Sequence, residues 1–94
     1  MRIRWTGKAE QQLDEIENYI AQDNPAAATR VIIDVIESGR QLVQFPNSGL
    51  QGRKGGTREL VLAGTPYVLG YRTRAAGIQM LSVLHSLMKK GSEP

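Results

Sequence analysis

The tripeptide Asp23-Asn24-Pro25 stops one helix and starts the next, so its surroundings must accommodate two helices joined almost without a loop. Before it, Ala9, Leu13, Ile16 and Ile20 recur at spacings of four, three and four, with Glu10, Asp14, Glu15 and Glu17 between them. That pattern predicts an amphipathic helix with an acidic outer side, and Thr6 supplies a hydroxyl to cap it. At the junction Asn24 can cap exposed N–H groups, and Pro25 suits a first helical position, where no N–H is required. The second helix carries a wide apolar stripe through Ala28, Val31, Ile32, Val35, Ile36 and Leu42. It should end before Phe45-Pro46, because a residue preceding proline avoids the helical region, and Gly39 should weaken it near its end. Two helices so closely joined form a hairpin, and the hairpin must bury its apolar side against something else.

The remaining segments supply the partner. Arg2-Ile3-Arg4-Trp5 alternates with period two and predicts a short strand with Ile3 and Trp5 turned inward. Residues 47–56 hold four glycines and almost nothing apolar, which predicts a flexible basic loop without secondary structure. Beyond it, Thr57 to Leu62, Tyr67 to Thr73 and Ile78 to His85 are rich in β-branched, aromatic and aliphatic residues. Short turns at Ala63-Gly64-Thr65-Pro66 and Arg74-Ala75-Ala76-Gly77 make these an antiparallel meander. The expected fold class is therefore α+β: an N-terminal strand, a helical hairpin, then a three-stranded antiparallel meander, with the helices on one face of the sheet. Tyr67, Leu69 and Tyr71 share a strand face and should be core rather than a base-stacking platform. Leu13, Ile16 and Val35 either belong to the core or border an apolar groove that a partner's segment fills.

Composition narrows the classes of function. Ninety-four residues, 40% of them hydrophobic, suit a single domain over residues 1–94, with 86–94 as a flexible end. The absence of cysteine removes disulfides, thiolate chemistry and cysteine-based zinc sites, and no motif suggests another metal or a cofactor. No apolar run approaches a membrane span, which predicts a soluble, cytoplasmic protein. Charge is distributed unevenly. Residues 1–49 carry a net −2, whereas residues 50–94 carry +5 from Arg53, Lys54, Arg58, Arg72, Arg74, Lys89 and Lys90 against Glu59 and Glu93. A basic half suits a surface that meets nucleic acid or an acidic protein, and equally a solvated face.

These segments together resemble the RelE/ParE superfamily of toxins, in its ParE-like, plasmid-stabilisation branch. The resemblance rests on Trp5 before the first helix, Tyr19-Ile20-Ala21-Gln22-Asp23-Asn24-Pro25-Ala26-Ala27-Ala28 at the hairpin, and Phe45-Pro46 with Gly49. It continues through Gly56-Thr57-Arg58-Glu59-Leu60, Pro66-Tyr67-Val68-Leu69-Gly70-Tyr71-Arg72 and Val83-Leu84-His85. It implies the growth-inhibiting component of a bacterial type II toxin–antitoxin system, held inactive by a cognate antitoxin in a hetero-oligomer. It leaves the target open between DNA gyrase, poisoned by binding, and mRNA, cut on the ribosome. A third possibility is a non-toxic relative that only binds an antitoxin-like regulator.

If the chain is an enzyme, it is a metal-free ribosome-dependent endoribonuclease. That chemistry needs a group to accept the 2′-OH proton, cationic stabilisation of the phosphate and an acid for the leaving oxygen. Arg58, Arg72 and His85 are the catalytic candidates. Each also has a structural reading: Arg58 as an ion pair with Glu59, Arg72 paired with a helix carboxylate, and His85 hydrogen-bonded to a loop. If the chain is a binding poison, Arg53, Lys54, Leu87, Met88, Lys89 and Lys90 are the target-contacting candidates. The end of the chain, Ser86-Leu87-Met88-Lys89-Lys90, departs from the arginine and Trp-Pro ending of many ParE-like relatives. It also lacks the arginine or tyrosine that RelE-like nucleases place there.

Overall fold

The computed structural model describes residues 2–52 and 54–86. In chain order it contains β1 (Arg2–Trp5), α1 (Gly7–Ala21), α2 (Pro25–Gln44), β2 (Leu50–Gln51), β3 (Arg58–Val61), β4 (Tyr67–Arg74) and β5 (Gly77–His85). The strands form one five-stranded sheet in the order β1-β5-β4-β3-β2. β1 runs parallel to β5, and the other neighbours are antiparallel. Because β1 and β2 occupy opposite edges and α1 and α2 connect them, the helical hairpin must cross one face of the sheet. Neither α1 nor α2 covers the other face.

The helix boundaries follow the capping chemistry. The Thr6 hydroxyl accepts a hydrogen bond from the Ala9 N–H at 3.1 Å, and the Asn24 side chain accepts one from Ala27 N–H at 3.1 Å. Pro25 occupies the start of α2, and α2 ends at Gln44, before Phe45-Pro46. The segment around α1 also completes the sheet edge that β1 leaves unfinished. Past Trp5, Thr6 N–H donates to the Met80 carbonyl, and the Gln12 side chain accepts from Val83 N–H at 2.9 Å.

The core lies between hairpin and sheet. Ala9, Val31, Val35 and Leu42 from the helices meet Leu69, Tyr71, Ile78, Met80 and Val83 from the strands, with Ile3, Trp5, Leu13 and Ile16 packed around them. Tyr67, Leu69 and Tyr71 are all buried on this side, as their shared parity predicts. Val35 is fully buried in the core, and Leu13 and Ile16 are half-buried and pack against the same cluster. A bulge supports this packing. The register shifts between Gly70 and Tyr71, leaving Leu81 between the paired residues Met80 and Ser82, so Ile78, Met80 and Val83 all face the helices.

Two features differ from the sequence expectation. Residues 47–56 are not wholly irregular: Leu50 and Gln51 pair with Glu59 and Arg58 and make the fifth strand. The reason is a pair of side chains from the neighbouring strands. The buried Tyr71 hydroxyl accepts from Gly49 N–H at 2.9 Å and donates to the Pro46 carbonyl at 2.8 Å. The Arg58 guanidinium donates to the Gly49 carbonyl at 2.9 Å. Gly49 is the residue that permits this, since a Cβ there would lie 2.7 Å from the Tyr71 oxygen and 2.9 Å from the Glu59 carbonyl. Gly39, expected only to weaken α2, instead lets it approach the sheet. A Cβ at Gly39 would lie 3.1 Å from the Ile3 side chain and 3.7 Å from that of Met80.

Replacing Tyr71 by Phe should strand Gly49 N–H and the Pro46 carbonyl and cost about 1–3 kcal/mol. Urea unfolding checks this through a lowered midpoint at unchanged slope, and a loss below roughly 0.5 kcal/mol would refute it. Gly39→Leu should overpack the junction of α2 with β1 and β5 and cost about 1–3 kcal/mol in the same assay.

Candidate functional site

The face opposite α1 and α2 is the surface that these elements leave open for function. Strand alternation puts Val68, Gly70 and Arg72 of β4 on it, beside Glu59 of β3 and Ser82 and Leu84 of β5. A depression of about 390 Å3 occupies this face. Val68, Leu81 and Leu84 give it apolar lining, and Thr6, Thr57 and Ser82 together with Lys8, Lys54, Arg58, Arg72 and Glu59 give it polar lining. Gly70 sets the depth at its centre. A Cβ at this position would come within 2.4 Å of the Ser82 hydroxyl oxygen, so any side chain would displace Ser82 and fill the hollow. Arg72 is held in place by its Nε, which donates to the Gln79 side-chain oxygen at 2.7 Å. Its expected helix carboxylate is not its partner, because Arg72 projects from the opposite side of the sheet.

Of the three residues selected for nuclease chemistry, Arg58 and Arg72 both line the depression, although strand alternation starts their side chains on opposite faces, and His85 does not line it. Arg58 pairs with Tyr71 on the helix-bearing side, and its guanidinium is engaged by the Gly49 carbonyl, with the Asn47 carbonyl at 3.5 Å. It clamps the segment before β2 and does not form the expected pair with Glu59, whose side chain alternates to the other face. His85 pairs with Tyr67, and the two rings meet edge to face with centroids 5.6 Å apart. Tyr67 and Tyr71 are four residues apart on β4, which separates the Arg58 and His85 positions by roughly 13 Å along the strand. Arg72 lies on the reverse side of the sheet from both. Burial pushes the Tyr67 hydroxyl pKa up, with a smaller contribution from the neighbouring Tyr19.

Among the target-contacting candidates, Lys54 lines the depression. Arg53, Leu87, Met88, Lys89 and Lys90 lie outside the described residues. Lys8, Thr6, Gly70 and Ser82 also line the site, and the sequence reading missed them as site residues. Lys8 and Thr6 precede or open a helix and look like capping and solvation chemistry, and only the parallel docking of β1 on β5 carries them to this face. Chemically, the site concentrates ammonium and guanidinium groups around hydroxyls and an apolar lining, a surface suited to holding an anionic or mixed polar partner. No group of three or more His, Asp or Glu positioned for a metal occurs among the described residues. No helix among them is long and apolar enough to cross a membrane.

Comparison with known proteins places this geometry in a family. Residues 3–89 match the family described as ParE toxin of type II toxin–antitoxin system, parDE. A protein of Sinorhizobium fredii named as a toxin, Y4kP, is 45% identical over 85 residues, covering 90% of this chain and 88% of that relative. Toxin RelE2 of Caulobacter vibrioides is 28% identical over 85 residues, covering 90% and 94% of the two chains. A solved chain of the chromosomal ParDE toxin–antitoxin system from P. aeruginosa superposes with a TM-score of 0.81 at 27% identity, covering 90% of this chain and 95% of that one. The same arrangement of two helices against a five-stranded sheet is thus shared with a ParDE toxin fold. The resemblance read from the sequence is borne out: the chain belongs to the ParE toxin family of the RelE/ParE superfamily and is a toxin of a type II toxin–antitoxin system, with a cognate antitoxin as its partner.

Proposed function

We propose that this toxin arrests growth by binding and poisoning DNA gyrase through its open basic face, rather than by cutting mRNA. The observation that carries this reading is the separation of His85 from the two arginine candidates. Cleavage at a 2′-OH needs its proton acceptor, its charge stabiliser and its acid within hydrogen-bond reach of one phosphate. Arg58 and Arg72 both line the depression, but the Arg58 guanidinium is held by loop carbonyls, and His85, the proton-transfer candidate, packs against Tyr67 outside the depression. A binding poison requires no such convergence. It requires an accessible surface of suitable charge, which Lys8, Lys54 and Arg72 supply around the depression. Arg53, Leu87, Met88, Lys89 and Lys90 remain target-contacting candidates on sequence grounds.

The mRNA reading keeps one supporting observation, the 28% identity to Toxin RelE2. The two readings separate in vitro. Antitoxin-free protein should abolish gyrase supercoiling and accumulate cleaved gyrase-bound DNA, while primer extension in a reconstituted translation system shows intact message. Ribosome-dependent cuts that disappear in His85→Ala would reverse the assignment.

Within the gyrase reading, Arg72→Ala should weaken inhibition by about tenfold or more, on the scale of a lost charged contact of roughly 1.5–3 kcal/mol, with an unchanged melting temperature. His85→Ala should retain inhibition. Arg58→Ala should lose stability, and with it activity, in proportion to the unfolded fraction. Supercoiling titrations paired with thermal melts check all three variants.

A further inference from the structure

The register of β1, β5 and β4 sets four arginines in two rows that the sequence alone does not connect. Arg4 is opposite Gln79, which is opposite Arg72; Arg2 is opposite Gly77, which is opposite Arg74. Ile3 and Trp5 pack toward the helices, so Arg2 and Arg4 alternate to the open face, where Arg72 and Arg74 also project. Strand geometry makes this a rectangle of about 10 Å across the strands and about 7 Å along them. Gln79 sits inside one row and holds Arg72 by its Nε, leaving the terminal nitrogens of that guanidinium for another acceptor. Gly77 sits inside the other row and places no side chain between Arg2 and Arg74. A shallow hollow of about 220 Å3, lined by Arg4, Arg74, Ala76, Gly77, Ile78 and Gln79, opens between the rows.

The cluster is not neutralised within the described residues. The ion pair found among them joins Arg40 to Glu37 on α2, and no carboxylate is paired with any of the four arginines. Four like charges held this close repel one another unless a partner supplies negative charge. Every one is arginine, whose planar fork matches phosphate oxygens in pairs. The apolar residues at the hollow are Ala76, in the β4–β5 turn, and Ile78, which is buried, so the arginines surround no large exposed apolar side chain of the kind that centres a protein–protein interface. Trp5, Tyr67 and Tyr71 all pack with the core on the other side, so no aromatic ring is offered on which unpaired bases could stack. What fits is a polyanion that presents phosphates outward and keeps its bases stacked within.

We infer that Arg2, Arg4, Arg72 and Arg74 form a docking surface for the phosphodiester backbone of duplex DNA. The inference stands on the strand register and goes beyond the gyrase reading, since it concerns the affinity of this chain for DNA with no enzyme present.

The test is fluorescence anisotropy of a labelled 20-base-pair duplex titrated with the antitoxin-free full chain at 50–200 mM salt, for wild type, R4Q/R74Q and R30Q/R40Q. The last variant removes the same charge from α2, and circular dichroism melts verify that all three are folded. Four neutralised phosphates predict an affinity loss of about 150-fold across that salt range, and two predict about 12-fold. R4Q/R74Q should therefore bind more weakly, with a log–log salt slope shallower by about 2, and R30Q/R40Q should keep the wild-type slope. Equal slopes in wild type and R4Q/R74Q, or an equal loss in R30Q/R40Q, would overturn the inference. So would no binding at 50 mM salt, tighter binding to single-stranded RNA, or equal binding to a poly-glutamate peptide. Absent gyrase inhibition by the wild type leaves this measurement untouched, so the two readings fail separately.

Discussion

The parallel pairing of β1 with β5 determines what the rest of the molecule can be. It joins segments more than seventy residues apart, and it places the origin of the helical hairpin at one edge of the sheet while β2 closes the other. The hairpin must then cover one face and leave the other bare. Gly77 makes the pairing sterically feasible. A Cβ there would lie 2.1 Å from the Arg2 carbonyl oxygen, and its φ of +144° is one that L side chains rarely adopt. The core side, the open basic side and the alignment of the arginine rows all follow from this one contact between strand backbones.

A second constraint works at the opposite edge. Tyr71 is fully buried, yet its hydroxyl is satisfied twice, by a donor and an acceptor from a segment with few apolar side chains of its own. A core aromatic thereby fixes a glycine-rich connection, and Arg58 reinforces it from the next strand. Beyond that anchorage, Gly52 N–H donates to the Thr57 carbonyl, and the Thr57 hydroxyl donates to the Lys54 carbonyl at 2.7 Å. This local closure delivers Lys54 to the depression. Arg58 thus has a structural task as well as a place in the depression, and Thr6 and Lys8, which looked purely structural, line it too.

Local chemistry made most of the fold legible. The caps at Thr6 and Asn24, the stop at Phe45-Pro46 and the period-two strands all depend on neighbours within a few residues, and each occurs where expected. The shared core parity of Tyr67, Leu69 and Tyr71 was legible for the same reason. What could not be read was everything requiring two distant segments at once. Leu50-Gln51 becomes a strand only because Tyr71 and Arg58 hold the preceding turn, and nothing in its own composition favours pairing. The bulge at Gly70/Tyr71 changes which β5 residues share a face, so the positions of Ser82 and His85 could not follow from counting. Arg2 and Arg4 announced one exposed side of a strand, but their alignment with Arg72 and Arg74 depends on which strand β1 joins.

The β1–β5 contact also carries a consequence for the order of events during synthesis. β1 is translated before its hydrogen-bonding partner, so the sheet cannot close until β5 has been made, whatever the helices do earlier. Contacts so distant along the chain form late and slowly, because loop closure must precede any stabilisation from them. The open face therefore acquires its shape and charge arrangement only once β5 is available to pair with β1. The fold thus places a delay between making the protein and arming it, and that interval is available for an antitoxin to engage.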